Sequence, residues 1–157
     1  MQTLSYPSSQ FPGPPTVRVD IPGEWSPVRV PGTLIAARST ATDGSFAPNI
    51  VIRGFTRSGR FTIGRALEEL QRFVAAQPSG EVEPPFEVEI DGVPFIGVNV
   101  SWADPTVGEV VQAHLFAGAR RGQVVDLIQV TGSVGGEHAE ASYPQVQQVM
   151  QTVRVTR

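Results

Sequence analysis

Between residues 47 and 76 the apolar pattern changes period, and that change constrains the fold more than any other feature of the chain. Ala47-Pro48-Asn49 leads into Ile50-Val51-Ile52-Arg53-Gly54-Phe55, a short run rich in β-branched residues that reads as a strand. The polar stretch Thr56-Arg57-Ser58-Gly59-Arg60 reads as a turn. From Ile63 the apolar residues fall at Ile63, Ala66, Leu67, Leu70, Phe73 and Val74, one face of a helix. Arg65, Glu68, Glu69, Gln71 and Arg72 fall mainly on the other face, and Glu68–Arg72 adds an i,i+4 pair worth ~0.2–0.5 kcal/mol. Pro78-Ser79-Gly80 stops the helix. Leu70 lies within the apolar stripe and is predicted to be a core position, its truncation to Ala costing ~2–5 kcal/mol. Apart from the last dozen residues, the remaining apolar periodicity is strand-like. One such helix among strands predicts an α+β domain, a mostly antiparallel sheet flanked by helices.

The strands can be placed by their punctuation. Val17-Arg18-Val19-Asp20-Ile21 alternates with the period of a half-buried strand and ends at Pro22-Gly23; Trp25 is expected to pack over the sheet edge. Leu34–Arg38 is a second strand, and the polar segment after it carries Asp43-Gly44, a turn signal. Beyond the helix come Phe86–Ile90, Val93–Trp102, Val110–Phe116 and Val124–Thr131. Asp91-Gly92, Asp104–Gly108 and Arg120-Arg121-Gly122 join them at hairpin length, which predicts an antiparallel meander. Gly132–Ser142 reads as a loop of small residues. Tyr143-Pro144 then opens a short helix, with Pro in its first turn and Val146, Val149, Met150 and Val153 as its apolar stripe. Pro7, Pro12, Pro14 and Pro15 make residues 1–15 an extended or mobile arm, leaving 16–157 as a single layered domain. The helices and the N-terminal segments are expected to cover the two apolar sides of the sheet.

Composition excludes whole classes of chemistry. The chain has 157 residues, enough for one domain with a substantial core. All 12 basic residues are Arg, so a Lys Schiff base and a P-loop lysine are excluded. Arg-only usage fits either codon bias or selection for bidentate anion recognition. There is no Cys, which rules out disulfides, thiolate nucleophiles, iron–sulfur clusters and Cys-based zinc sites. A net charge of -3 does not suit a nucleic-acid surface. The first residues have neither the basic nor the apolar region of a signal peptide, and no apolar run is long enough to span a bilayer. As it stands the chain is expected in the cytoplasm, or in the cell envelope if a signal has been removed from it.

Several of these features occur together elsewhere. They are the apolar strand ending in Pro22-Gly23-Glu24-Trp25, the run Phe46-Ala47-Pro48-Asn49-Ile50-Val51-Ile52, the mid-chain helix, the Asp91-Gly92 hairpin, the meander and the closing helix. In this order, over residues 17 to 155, the chain resembles the Mog1/PsbP-like fold group, and within it the actinobacterial LpqN-type proteins. The motifs are structural punctuation. The resemblance implies a scaffold used by accessory or binding proteins that share no active site, with no catalytic motif to carry over. The lipid-bearing Cys and export signal of the lipoprotein members are missing, so envelope anchoring is not implied.

The candidate functional residues are few. His114, in a strand that puts Val110, Gln112, His114 and Phe116 on one face, reads either as a general base or ligand, or as a hydrogen-bonded sheet histidine. His138 lies in a Gly-rich stretch and reads as solvated; two distant histidines make a weak metal case. Ser101, His114 and Asp126 lie on three successive strands, but Ser101 lacks a nucleophile elbow. No glycine pattern forms a phosphate loop. Arg53, Arg57, Arg60 and Arg65 could form a basic patch for a carboxylate-rich partner, or a solvated loop and helix start. Glu81, Glu83, Glu87 and Glu89 form an acidic stretch. Asn99, Gln112, His114 and Gln129 interrupt apolar strands and could line a shallow pocket. The expected function is non-catalytic protein binding, as an accessory or adaptor domain without cofactor or metal. The alternative is a small-ligand carrier with a groove between sheet and helix, and an unrecognised hydrolase is a third reading.

Overall fold

A computed structural model describes residues 1–41 and 46–156. The expected Asp43-Gly44 turn lies outside them. Among the described residues ten strands and two α-helices follow in order: β1 (Thr16–Arg18), β2 (Trp25–Pro27), β3 (Ile35–Ser39), β4 (Asn49–Ser58), α1 (Ile63–Ala75), β5 (Glu81–Val82), β6 (Phe86–Ile90), β7 (Val93–Asp104), β8 (Gly108–Arg121), β9 (Val124–Gly135), α2 (Ala139–Gln151) and β10 (Arg154–Thr156). An eight-stranded antiparallel sheet runs β2-β3-β4-β9-β8-β7-β5, with β6 also paired to β7. The α+β layered domain is therefore as the periodicity predicts, and β6 to β9 form the meander.

Local chemistry explains the connections. Asp91 and Gly92 both hold positive φ (52° and 78°), the requirement of a two-residue hairpin turn of type I′. The Asp104 carboxylate accepts from the backbone N–H groups of Thr106 and Val107 at 2.8 and 2.9 Å and closes the next turn. Arg120 and Arg121 are the last residues of β8, not the turn; Gly122-Gln123 makes the connection, with Gly122 at φ +59°. α1 begins at Ile63 as its period predicts. Thr62 caps it, its Oγ1 accepting from the Arg65 N–H at 3.3 Å.

Side-chain alternation divides the core in two. On one face α1 seals Val98, Val100, Phe116 and Leu127 with Ala66 and Val74. On the other, α2, Trp25 and the Val17–Ile21 segment cover Ile50, Ile52, Phe95, Leu115, Ile128 and Val130. Both sides of the sheet are thus covered by helices, with the N-terminal segment on the α2 side. Leu70 is only half-buried and Phe73 is 52% exposed, its ring edge-on to Trp102 at 5.7 Å. The buried residues of α1 are Ala66 and Val74, with Ile63, Leu67 and Leu70 packed partly buried against the same cluster.

The C-terminal part departs from the sequence reading. Gly132–Ser142 is not a loop: β9 continues to Gly135, a 3-10 turn spans Gly136–His138, and α2 starts at Ala139, five residues before Pro144. The small residues serve packing. A Cβ on Gly132 would stand 2.5 Å from Val146 and 2.6 Å from the Met150 sulfur. The expected stripe Val146, Val149, Met150 and Val153 is buried. β10 follows and pairs with β1 in a separate two-stranded sheet. Trp25 is buried at the start of edge strand β2, donating to Gln145 on α2. Residues 1–15 form no strand. Ser8 and Phe11 close a turn, and the Pro12 carbonyl accepts from Arg121 at 3.3 Å, which lays the segment over the β8–β9 hairpin.

Candidate functional site

Alternation along β4 points Arg53, Phe55 and Arg57 to the α1 side of the sheet, in register with Gln129, Leu127 and Val125 on β9. The Arg57 guanidinium lies over the Phe55 ring at 4.9 Å and within 5.5 Å of the Phe61 ring centre, a cation–π arrangement on two rings. Arg60 stands exposed in the turn and Arg65 in the first turn of α1, while Arg53 is half-buried four residues before Arg57. Among the described residues none of the four forms a salt bridge. The described ion pairs are Arg121–Asp126, Arg154–Asp91 and His138–Glu137. Arg53 and Arg57 thus lie on β4, Arg60 in the turn after it and Arg65 at the start of α1, none of them in an ion pair with another described residue.

Beside Arg57 a cleft of about 190 Å³ opens between α1 and the sheet. Phe55 and Phe61 wall one side, Phe116 and Leu127 form the floor, and Ala66 and Leu70 the helix side. Arg57, Glu69 and Gln129 are its polar lining. Sequence reasoning took residues 56–60 as a polar turn and missed this cleft. The available signal was aromatic residues two before and four after Arg57. A larger cavity, about 750 Å³, lies at the other face between the N-terminal segment and the β8–β9 hairpin. The arginines lining it are engaged: Arg121 holds Asp126 through two bonds of 2.7 and 3.0 Å, and Arg120 donates to the Gly59 carbonyl at 2.6 Å.

Three of the four polar strand residues meet. His114 Nε2 donates to the Gln112 side-chain oxygen at 2.8 Å, and His114 Nδ1 accepts from Gln129 and Thr131 at 3.1 Å each. Gln112 in turn donates to Ser133 at 3.0 Å. Both ring nitrogens are thus satisfied in the neutral ring. Burial, aided by the Arg53 charge, lowers the His114 pKa to about 4. The ring is a neutral hydrogen-bonded node near pH 7, the second of its two readings. Asn99 is not part of this group. It faces α2, where Tyr143 donates to it at 3.2 Å, and it donates to Glu83 at 3.4 Å. Of the four, only Gln129 lines the cleft.

The imagined Ser101–His114–Asp126 arrangement does not assemble. Ser101 pairs with Val111 and Asp126 with Ala119, both on the α2 side, whereas His114 faces α1. Asp126 is held by Arg121 and Thr56. His138 is exposed. Among the described residues no cluster of three His, Asp or Glu side chains is placed to hold a metal ion. The acidic residues Glu81, Glu83, Glu87 and Glu89 are exposed along the β5–β6 edge, with β9, β8 and β7 between them and β4. At ~4.8 Å per strand the acidic and basic segments stand roughly 19 Å apart. No described helix is long and apolar enough to cross a membrane.

A sheet with one helix on each face, its meander closed by the second helix, defines the Mog1/PsbP-like fold, and solved structures match it over most of the chain. LpqN of Mycobacterium tuberculosis, described as involved in cell envelope biogenesis, aligns with a TM-score of 0.75 at 13% identity, covering 93% of this chain and 86% of that one. The cyanobacterial PsbP of Synechocystis aligns with a TM-score of 0.56 at 12% identity, covering 99% and 98%. A Pseudomonas aeruginosa protein of unknown function aligns with a TM-score of 0.51 at 14% identity, covering 83% and 96%. At these identities the likeness is one of fold. No protein-family model and no curated protein matches the sequence.

Proposed function

We propose that this chain is a non-catalytic accessory domain that binds an acidic partner protein through the corner formed by Arg53, Arg57, Arg60 and Arg65. The observation that carries the reading is Arg57, its guanidinium carbon 4.9 and 5.5 Å from the Phe55 and Phe61 ring centres and paired with no carboxylate among the described residues. A guanidinium fixed on aromatic faces loses little freedom when it grips a carboxylate, so it suits recognition better than a free surface arginine. The involvement of LpqN in cell envelope biogenesis is compatible with an accessory role on this scaffold.

The test is affinity capture of the tagged protein from its own cells at native expression, beside Arg57→Glu with Arg60→Glu. The double variant is expected to retain at least tenfold less of a stoichiometric partner while its unfolding midpoint stays unchanged. Equal retention by the folded variant sinks the reading. The carrier alternative rests on the cleft. Its 190 Å³ falls short of the roughly 300–1,000 Å³ usual for small-molecule sites, which favours the partner-binding reading.

A further inference from the structure

We propose that the cleft between α1 and the sheet receives one apolar side chain of the partner, while Arg57 at its mouth takes a carboxylate next to that side chain. This rests on the basic-corner reading and names the partner's chemistry: an extended segment with an apolar residue adjoining Asp or Glu.

The size and lining of the cleft select this occupant. About 190 Å³ suits one side chain, and the walls of Phe55, Phe61, Phe116, Leu127 and Leu70 offer it no polar competitor. Protein interfaces concentrate their affinity where an anchor residue fills an apolar pocket beside an Arg or an aromatic residue, and both neighbours are present here. The Arg57 guanidinium carbon lies 4.9 and 5.5 Å from the Phe55 and Phe61 ring centres, and its N–H groups make no hydrogen bond with the described residues, which leaves them for a carboxylate.

The polar lining also gives the segment a direction. Glu69 stands on the α1 lip, so a partner carboxylate is repelled there and drawn to the Arg57 side. Gln129 donates its amide N–H to His114, and its side-chain oxygen makes no hydrogen bond with the described residues. That oxygen is available to a backbone N–H of the segment.

The experiment is selection of a phage-displayed random heptapeptide library on the full chain, followed by fluorescence anisotropy with the synthetic consensus peptide. The expected consensus is an apolar residue beside Asp or Glu. Its affinity should fall at least tenfold with Arg57→Gln, with Ala66→Leu, which fills the cleft without changing charge, and on replacing the peptide's apolar residue by Ala. Should Ala66→Leu melt early, Leu70→Phe fills the same space from the outer wall. An acidic consensus without an apolar position, or binding indifferent to the cleft-filling variants, overturns the proposal and leaves the basic-corner reading standing. A consensus without acidic residues, or no enrichment, overturns both.

Discussion

His114 is where a single side chain ties together burial, charge and pH. Its folded pKa of about 4 lies below the 6.5 of an exposed His, so the folded state resists protonation. The stability that comes from keeping the ring neutral is fully present above pH 6.5 and declines as pH falls toward 4. The slope approaches 1.4 kcal/mol per pH unit, on the order of 3 kcal/mol in total. Urea unfolding from pH 7 to 4 should show this decline, and His114→Gln should remove that part of it. A variant with the same pH profile as the parent would show that the ring is not buried as described. The sequence showed which strand face carries Gln112, His114 and Phe116, because alternation is local. It could not show that Gln129 and Thr131 complete the ring's hydrogen bonds, because the β8–β9 register is not local. The same limit left Arg57 visible as a charge but not as a charge stacked on two rings.

At the scale of elements, α2 and its seat on β9 were the hardest to read. Glycines normally signal turns, and the run from Gly132 to Gly136 was read so. Here they let a helix approach a strand closely. Gly132→Ala is therefore expected to cost about 1–3 kcal/mol by overpacking against Val146 and Met150. Chemical unfolding measures it, and a neutral result would mean that α2 stands farther off. The first helix teaches the opposite lesson: its limits were legible, but its depth of burial was not. Val74→Ala, at a fully buried position, should cost roughly 2 kcal/mol. Leu70→Ala should fall below the ~2–5 kcal/mol of a core leucine because part of its surface stays wet. Comparing the two variants in one denaturant series checks the order.

At the scale of the whole molecule, the meander followed from its turn chemistry, whereas the pairing of β4 with β9 and of β1 with β10 did not. Both join segments far apart in the chain, and β10 is three residues long, too short to carry a period. In the β1–β10 pair Thr16 lies opposite Thr156, so their Cα atoms stand about 5 Å apart. A chain rejoined there by a short Gly-Ser linker and reopened in the turn at Thr106 should fold with the same far-UV dichroism and a single cooperative melt. Loss of cooperativity would show that the pairing does not survive the cut. Since the two leads of residues 16–156 emerge side by side, this unit could be spliced into a surface loop of an unrelated host and hang from it as a pendant, leaving the host's own path undisturbed.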